Sequence, residues 1–537
     1  MGNDSDYPGF LEVSASMPKS DILRPFWSHV VGAGRANEGL RADWQAHLKL
    51  ASSACGFRYV RFHGLYHDDM HVLQQVDGKH VYNFQYIDTL FDAMLDMGVR
   101  PFVELGFCPS LIATELGTVF WWKANASPPK DLDQWGNLVR ASVEHWIMRY
   151  GLEEVQTWYF ECWNEPNLHP FFTGSRSQYY ALYEITVKVI KGINASLRVG
   201  GPATSNYVPD SRFDGEREDY QIKDIDNLHW RPVWVEHFLQ WCHSRELPVD
   251  FVSCHPYPTD WALDTSGNLS KRVRNLQATP VIWPIYAGLP SSRDHAHDEV
   301  PVAVYIVRTM LASLNLVDTI AYWTFTDIFE EEGAGTTPFR NYPFPRALYS
   351  SVSLCTGANS TLHSDGGFGL INVQGIPKPT FHAFRLLYGL GTEVLQNKDD
   401  HGIVTRHADT GLISAILFHY PSEVKTSPPP AYLDRQTAED LLKVGTPQKR
   451  RLMIENLQPE TAFRLETLSP GRRGDAMSAW RRLGSPSTLD RKTAKVLLEY
   501  ASSLDVRFIN ADSNGVLVLE EDMVPWTLIC VSQLKSI

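Results

Sequence analysis

The chain has 537 residues, more than one ordinary compact core organises, so two or three domains are expected. Hydrophobic residues make up 43% and charged residues 21%, which excludes a disordered or fibrous chain. Lys and Arg total 49 against 62 Asp and Glu, a net charge of −13, which argues against nucleic acid and anionic membranes as partners.

The seven cysteines (Cys55, Cys108, Cys162, Cys242, Cys254, Cys355, Cys530) stand singly with no CxxC, the pattern of reduced, buried thiols rather than a disulfide framework. The opening MGNDSDYPGF has neither a basic stretch nor an apolar core, so the expected location is cytoplasmic. No run approaches the ~20 apolar residues of a membrane span. Aromatic residues reach 12%, which suits stacking on sugar faces as well as filling a large core.

From about residue 25 to 390, short β-prone runs alternate with longer amphipathic stretches. In chain order the runs are PFWSHVVGAG, YVRFHG, RPFVELGF, TWYFECWNEP, LRVGGPAT, VDFVSCHPYP, TPVIWPIY and TIAYWTFTDIF. Between them lie helical patterns such as NFQYIDTLFDAMLDMG, where Tyr86, Leu90, Phe91, Met94 and Leu95 share a face and Gly98 is the stop. Eight strands, each with a crossover, predict an α/β fold, a (β/α)₈ barrel over residues 21–390. No GxGxxG or GxxxxGK[ST] supports a doubly wound nucleotide-binding sheet.

Beyond residue 390 the runs GIVTRHADT, LISAILFHY, RLMIENL, FRLETL and PWTLICVSQL are divided by polar turns. They predict an accessory β-sandwich over residues 391–537, with a helical segment near residues 437–444. Residues 1–20, through LEVSAS, are expected to add a strand to it.

In such barrels the carboxyl ends of the strands carry the chemistry. Asn164-Glu165-Pro166 ends the fourth run. Glu165 is a candidate proton donor, and Asn164 offers an amide to a sugar hydroxyl. Taken alone, Asn-Glu-Pro is also ordinary turn chemistry. His63 ends the second run, Glu104 lies in the third, His255 and Tyr257 end the sixth, and Trp323 and Asp327 end the eighth. Each has a bland reading as a core residue; together they describe a sugar-binding rim.

With those residues in place, the sequence resembles glycoside hydrolase family 39, the β-xylosidase and α-L-iduronidase family. The resemblance is carried by YVRFHGLYHDDM, YNFQYIDTLFDAMLDMGVRPFVELGF, TVFWWKANASPPKD, FECWNEPNL, DFVSCHPYPTD, SSRDHAHDE, AYWTFTDIFEE and GGFGLINVQGIPKPTFHAFRLLYGLG, with SAWRRLGSPSTLDRK in the accessory part. It covers nearly the whole chain and is closest to the bacterial β-xylosidase type. It implies a retaining exo-glycosidase that takes the non-reducing end of a β-xyloside, uses no cofactor and no metal, and has carbohydrate as its partner. Glu165 takes the acid/base position and Asn164 that of the residue holding the 2-hydroxyl. His63, His255 and Tyr257 line the sugar subsite, Trp323 gives a stacking wall, Glu330 or Glu331 binds hydroxyls, and Phe120 is an aromatic beside the subsite. A homo-oligomer is left open by the assemblies the family forms.

One position departs from the family pattern. Ile285 stands where the family has its Glu nucleophile, and Pro284 where Thr is usual, counting back from Ser291-Ser292-Arg293-Asp294. No carboxylate occurs between Pro280 and Arg293. A retaining glycosidase needs two carboxyl groups about 5–5.5 Å apart. Three explanations stay open: a sugar-binding homologue with impaired hydrolysis or an altered chain, a recruited nucleophile such as Tyr286, and an inverting scheme with Asp260, Glu330 or Glu331 as base. Another glycoside (arabinoside, galactoside or iduronide) is the alternative substrate. His295-Ala296-His297-Asp298-Glu299 matches the family's SSRD…HD segment and reads as a helix start rather than a metal cluster. The stretch 337–365 is longer than the usual family connection.

Overall fold

The computed structural model describes residues 10–120, 122–168, 171–204, 235–255, 281–283, 295–329, 367–398, 401–424, 435–486 and 489–535, residues 281–283 and a few others at segment ends by backbone alone. Its strands are β1 (Phe10–Ser14), β2 (Asp21–Ile22), β3 (Val30–Arg35), β4 (Tyr59–His63), the hairpin β5 (Leu73–Val76) and β6 (Lys79–Tyr82), and β7 (Arg100–Leu105). There follow the short pair β8 (Thr118–Val119) and β9 (Ala124–Asn125), then β10 (Tyr159–Cys162), β11 (Arg198–Thr204), β12 (Phe251–Cys254), β13 (Val281–Trp283) and β14 (Thr319–Ile320).

Eight of these form one sheet in the order β14-β13-β12-β11-β10-β7-β4-β3, and each coincides with one of the eight predicted runs. Every pairing is parallel, which requires a crossover connection between successive strands. The sheet curls: Val31 of β3 bridges Tyr322 in parallel, Gly32 N–H donates to Tyr322 O at 2.7 Å, and Phe325 N–H donates to Gly32 O at 3.0 Å.

The crossover helices begin and end on recognisable chemistry. Leu132–Tyr150 opens on Asp131, whose carboxylate accepts from Asp133 N–H at 2.8 Å. Arg176–Ile193 opens on a capping box between Ser175 and Gln178. Gln85–Asp96 buries Ile87, Leu90, Phe91 and Met94 and stops at Gly98, whose φ of 74° an L side chain resists. Tyr86, expected on that inner face, is instead 40% exposed and packs on His71 at 5.2 Å; Ile87 takes the inner position. A first-turn residue has no preceding turn to pack against, so an outward neighbour captures it.

Inside the curl, residues of one parity face inward and stack in layers. The amino-terminal layer is an aromatic plug of Tyr59, Phe102, Tyr159 and Phe251, packed with Val30 and Ala321; the Phe102 and Tyr159 rings stack at 5.2 Å. Two residues further along, the same parity brings Arg61, Glu104, Glu161 and Ser253 together. A third step reaches His63 at the carboxyl end.

The remaining strands are β15 (Glu393–Lys398), β16 (Gly402–Arg406), β17 (Ile413–His419), β18 (Gln448–Glu455), β19 (Ala462–Leu468), β20 (Asp505–Asn510), β21 (Leu517–Met523) and β22 (Thr527–Gln533). They build a seven-stranded antiparallel sheet, β2-β15-β16-β17-β22-β19-β20, and a three-stranded sheet, β1-β18-β21, in which β1 runs parallel to β18. Buried side chains of both sheets, among them Val13, Leu417, Leu452, Leu465 and Val531, share one cluster. This part holds more helix than the sequence texture predicts. Besides Arg435–Leu441, the segments Ala476–Arg482 and Arg491–Ala501 are helical. Asp475 and Asp490 cap them on Ser478 and Thr493 N–H groups, and Met477, Trp480 and Leu497 close a small core between them. Among the described residues no helix is long and apolar enough to cross a membrane.

Candidate active site

The charged layer is the floor of the site. Arg61 Nε donates to Glu161 Oε2 at 2.7 Å, and one Nη donates to Asn164 Oδ1 at 2.9 Å. The same guanidinium nitrogen lies 2.9 Å from Glu104 Oε2. All three ionisable side chains are buried. Burial pushes the Glu161 carboxyl above the usual carboxylate range, with Arg61 pulling it back and Glu104 adding to the rise. One guanidinium therefore sets the positions of Glu104, Glu161 and Asn164, a planar fork that lysine could not reproduce.

Glu104 passes that order upward, since its Oε2 lies 2.7 Å from His63 Nδ1. The His63 ring sits 4.9 Å from Trp323 and stacks at 5.9 Å and 23° on Phe120. Phe120 stacks in turn on Trp122 at 5.3 Å and packs on Phe171 at 5.4 Å. Phe107 completes an aromatic wall against His63, Phe120 and Trp163.

Glu165, three residues beyond β10, is 7% exposed. Its N–H donates to Ala203 O at 2.9 Å, and its Oε1 lies 2.7 Å from Nδ1 of the fully buried His255. Burial, then the charges of Arg61 and His63, hold the His255 imidazole well below its ordinary pKa. The 2.7 Å contact is a hydrogen bond between the two side chains. Trp163 and Glu165 in the turn beyond β10, and Ala203 in β11 beside it, adopt left-handed φ of 69°, 45° and 53°. Such conformers cost ~1–3 kcal/mol each and persist where the surroundings over-determine them.

His63, Phe120, Asn164, Glu165, His255 and Trp323 thus come together around one buried acid. Tyr257, Ile285, Glu330 and Glu331, with Asp260 and Tyr286, lie outside the described residues. Asp327, expected on the rim, is instead buried beneath it, with Oδ2 2.6 Å from Lys378 Nζ; burial pushes its carboxyl up to about 7 against the pull of that ammonium. The partner is the reason: a buried ammonium from the segment before the helix Pro379–Tyr388 takes the carboxylate that the rim would otherwise use. Arg61 and Glu161 were not picked out by the sequence reading, although the alternation Tyr59, Arg61, His63 marks the first of them as inward. Trp122, Phe107 and Phe171 also escaped, because loops have no periodicity to read. His295–Asp298 forms a short 3₁₀ turn ahead of the helix Val300–Ala312, and among the described residues no cluster of three His, Cys, Asp or Glu is placed to hold a metal.

Known proteins share this arrangement of chain. A β-xylosidase of Caldicellulosiruptor saccharolyticus is 32% identical over 533 residues, covering 95% of both chains. A β-xylosidase of Geobacillus stearothermophilus is 36% identical over 424 residues, 74% of each. The crystal structure of a monomeric β-xylosidase from Caulobacter crescentus CB15 superposes with a TM-score of 0.79 at 28% identity, covering 98% of this chain and 99% of that one. The profile of the glycosyl hydrolases family 39 matches residues 11–428, and the chain belongs to that family of glycosidases.

Proposed function

We propose that this protein is an exo-glycosidase-type enzyme that accepts the non-reducing end of β-xylosides. On this reading the curled sheet closes as a (β/α)₈ barrel over residues 21–390, and residues 391–537, joined by the N-terminal strand, form an accessory β-sandwich. The contact that carries the proposal is Glu165 Oε1 to His255 Nδ1, 2.7 Å, at the carboxyl end of the curled sheet. Glu165 gives its proton to the leaving glycosidic oxygen and then takes one from the attacking water, as a retaining mechanism requires of one carboxyl group. Asn164, whose Oδ1 is held by Arg61, keeps its amide N–H groups for the sugar 2-hydroxyl. His63, His255 and Tyr257 line the subsite, Trp323 and Phe120 provide faces for the ring, and Glu330 and Glu331 take hydroxyls.

Ile285, at the position of the family nucleophile, favours a second reading: a carbohydrate-binding homologue whose hydrolysis is impaired. An isoleucine can neither attack the anomeric carbon nor stabilise an oxocarbenium ion. A panel of nitrophenyl glycosides separates the two. Turnover by the unaltered chain that disappears in Glu165→Ala supports the enzyme; turnover that appears only in Ile285→Glu supports the impaired homologue and rules out a recruited nucleophile. Preference within the panel for an arabinoside, galactoside or iduronide would replace xylose as the substrate.

A further inference from the structure

Lys378 stands directly before the helix Pro379–Tyr388 and is 1% exposed. Its Nζ lies 2.6 Å from Asp327 Oδ2 and 2.8 Å from Asp298 Oδ1, and donates to Gly367 O at 2.6 Å. The two carboxylates belong to different connections: Asp298 ends the turn reached after β13, and Asp327 lies in the segment leaving β14. One buried ammonium therefore clasps the connections that follow the seventh and eighth strands of the sheet.

The clasp is reinforced by close backbone contact. Segment 367–378 lies along residues 324–327 through Leu370 N–H to Thr324 O (3.1 Å), Ile371 N–H to Phe325 O (3.2 Å) and Asp327 N–H to Ile371 O (2.8 Å). Gly369 N–H donates to Asp327 Oδ1 at 2.6 Å, and a Cβ on Gly369 would fall 2.4 Å from Asp327 N, so no side chain fits there. Above the ions a second, aromatic line joins the same connections: His297 to Phe368 at 5.1 Å, Phe368 to Phe329 at 5.7 Å, and Phe329 to Trp323 at 5.8 Å. Trp323 is the residue against His63.

A well-packed apolar set is often as stable as a buried ion group, or more so, whereas ions fix a single registry. We propose that Lys378 is a positioning residue of the candidate active site, holding Trp323 and Phe329 in register by tying the seventh and eighth connections together; this rests on the glycosidase reading above.

The test uses the full chain and D-xylose as the probe. Binding is measured by titration calorimetry for the wild type, Lys378→Met, and the neutral triple variant Asp298→Asn/Lys378→Met/Asp327→Asn, alongside thermal midpoints and far-UV circular dichroism. The expected result is at least a tenfold loss of D-xylose affinity in folded Lys378→Met. In the triple variant the thermal midpoint recovers while the affinity stays low, because neutral groups fill the space without bridging the connections. Wild-type affinity in folded Lys378→Met, or affinity that recovers with the midpoint in the triple variant, overturns the proposal. If Lys378→Met does not fold, the triple variant decides alone. A wild type that binds neither D-xylose nor other pentoses, hexoses or uronates overturns the glycosidase reading itself, a result distinct from unchanged affinity in the variants.

Discussion

Glu165 Oε1 and His255 Nδ1 meet at 2.7 Å although their strands, β10 and β12, are not adjacent. The strand between them, β11, supplies the third contact, since Ala203 O accepts the Glu165 N–H. Three consecutive strands thus hold one carboxyl group, two through its backbone and one through its side chain. If Glu165 is the proton donor proposed above, a carboxyl group held in this way surrenders little orientation on binding substrate.

Replacing His255 by Phe should therefore lower kcat by roughly 10²-fold, with a smaller rise in KM from the altered subsite lining, since it removes the hydrogen-bond partner of Glu165. Initial rates on nitrophenyl β-D-xyloside check this, in whichever of the wild type and Ile285→Glu turns over. A rise in KM alone would assign His255 to binding rather than to proton transfer.

Arg61→Met should destabilise the chain by about 3–5 kcal/mol, because Glu104 and Glu161 would remain buried without their counter-charge. Arg61→Met combined with Glu161→Gln should regain part of the loss. Denaturant midpoints measure both. A single variant as stable as the wild type would show that the floor does not need its cation.

Gly32 faces the Trp323 ring so closely that an added Cβ would fall 2.3 Å from Trp323 Cε3. The indole is a rigid plate in a packed layer and cannot bend away. Gly32→Ala should cost about 1–3 kcal/mol through overpacking and weaken D-xylose binding by displacing the wall. Calorimetric affinity that matches the wild type would separate Trp323 from the sugar.

His382 is fully buried with Nε2 2.6 Å from Ala501 O, and burial, then Arg385, hold its pKa down at about 3. Its folded pKa lies below the unfolded value near 6.5, so between the two the unfolded chain binds the proton first. The stability His382 contributes is present above about pH 6.5 and is lost as the pH falls towards 3. His29 and His47, both lowered to about 4 by burial, act with the same sign. His382→Gln keeps an N–H for Ala501 and removes the titration, so its thermal midpoint should fall less steeply between pH 7 and 5. An unchanged slope would locate the acid sensitivity elsewhere.

The eight parallel strands were legible because each is a short apolar run followed by a helical period, and that alternation leaves few topologies open. Glu165 and His255 were legible because a strand end is a defined place in such a sheet. Arg61 was not, since a buried cation contradicts hydropathy and is betrayed only by the parity it shares with Tyr59 and His63. The helices Ala476–Arg482 and Arg491–Ala501 were missed among β-like runs, although Asp475 and Asp490 carry cap signals that stand one to three residues before acceptable helix formers. Asp327 shows the opposite failure: the residue type was right for a rim, but its direction depends on a lysine far along the chain that no local pattern announces.

The pairing of β1 with β18 has a consequence in time. Asn456 Nδ2 donates to Ser14 Oγ at 2.6 Å across 442 residues of chain. At about 5–20 residues per second of synthesis, the first strand waits roughly 20–90 s for its partner to leave the ribosome. Until then Leu11 and Val13 lack the β18 and β21 side chains they pack with in the folded cluster. The pairing of β1 accordingly waits on β18, which is made long after it.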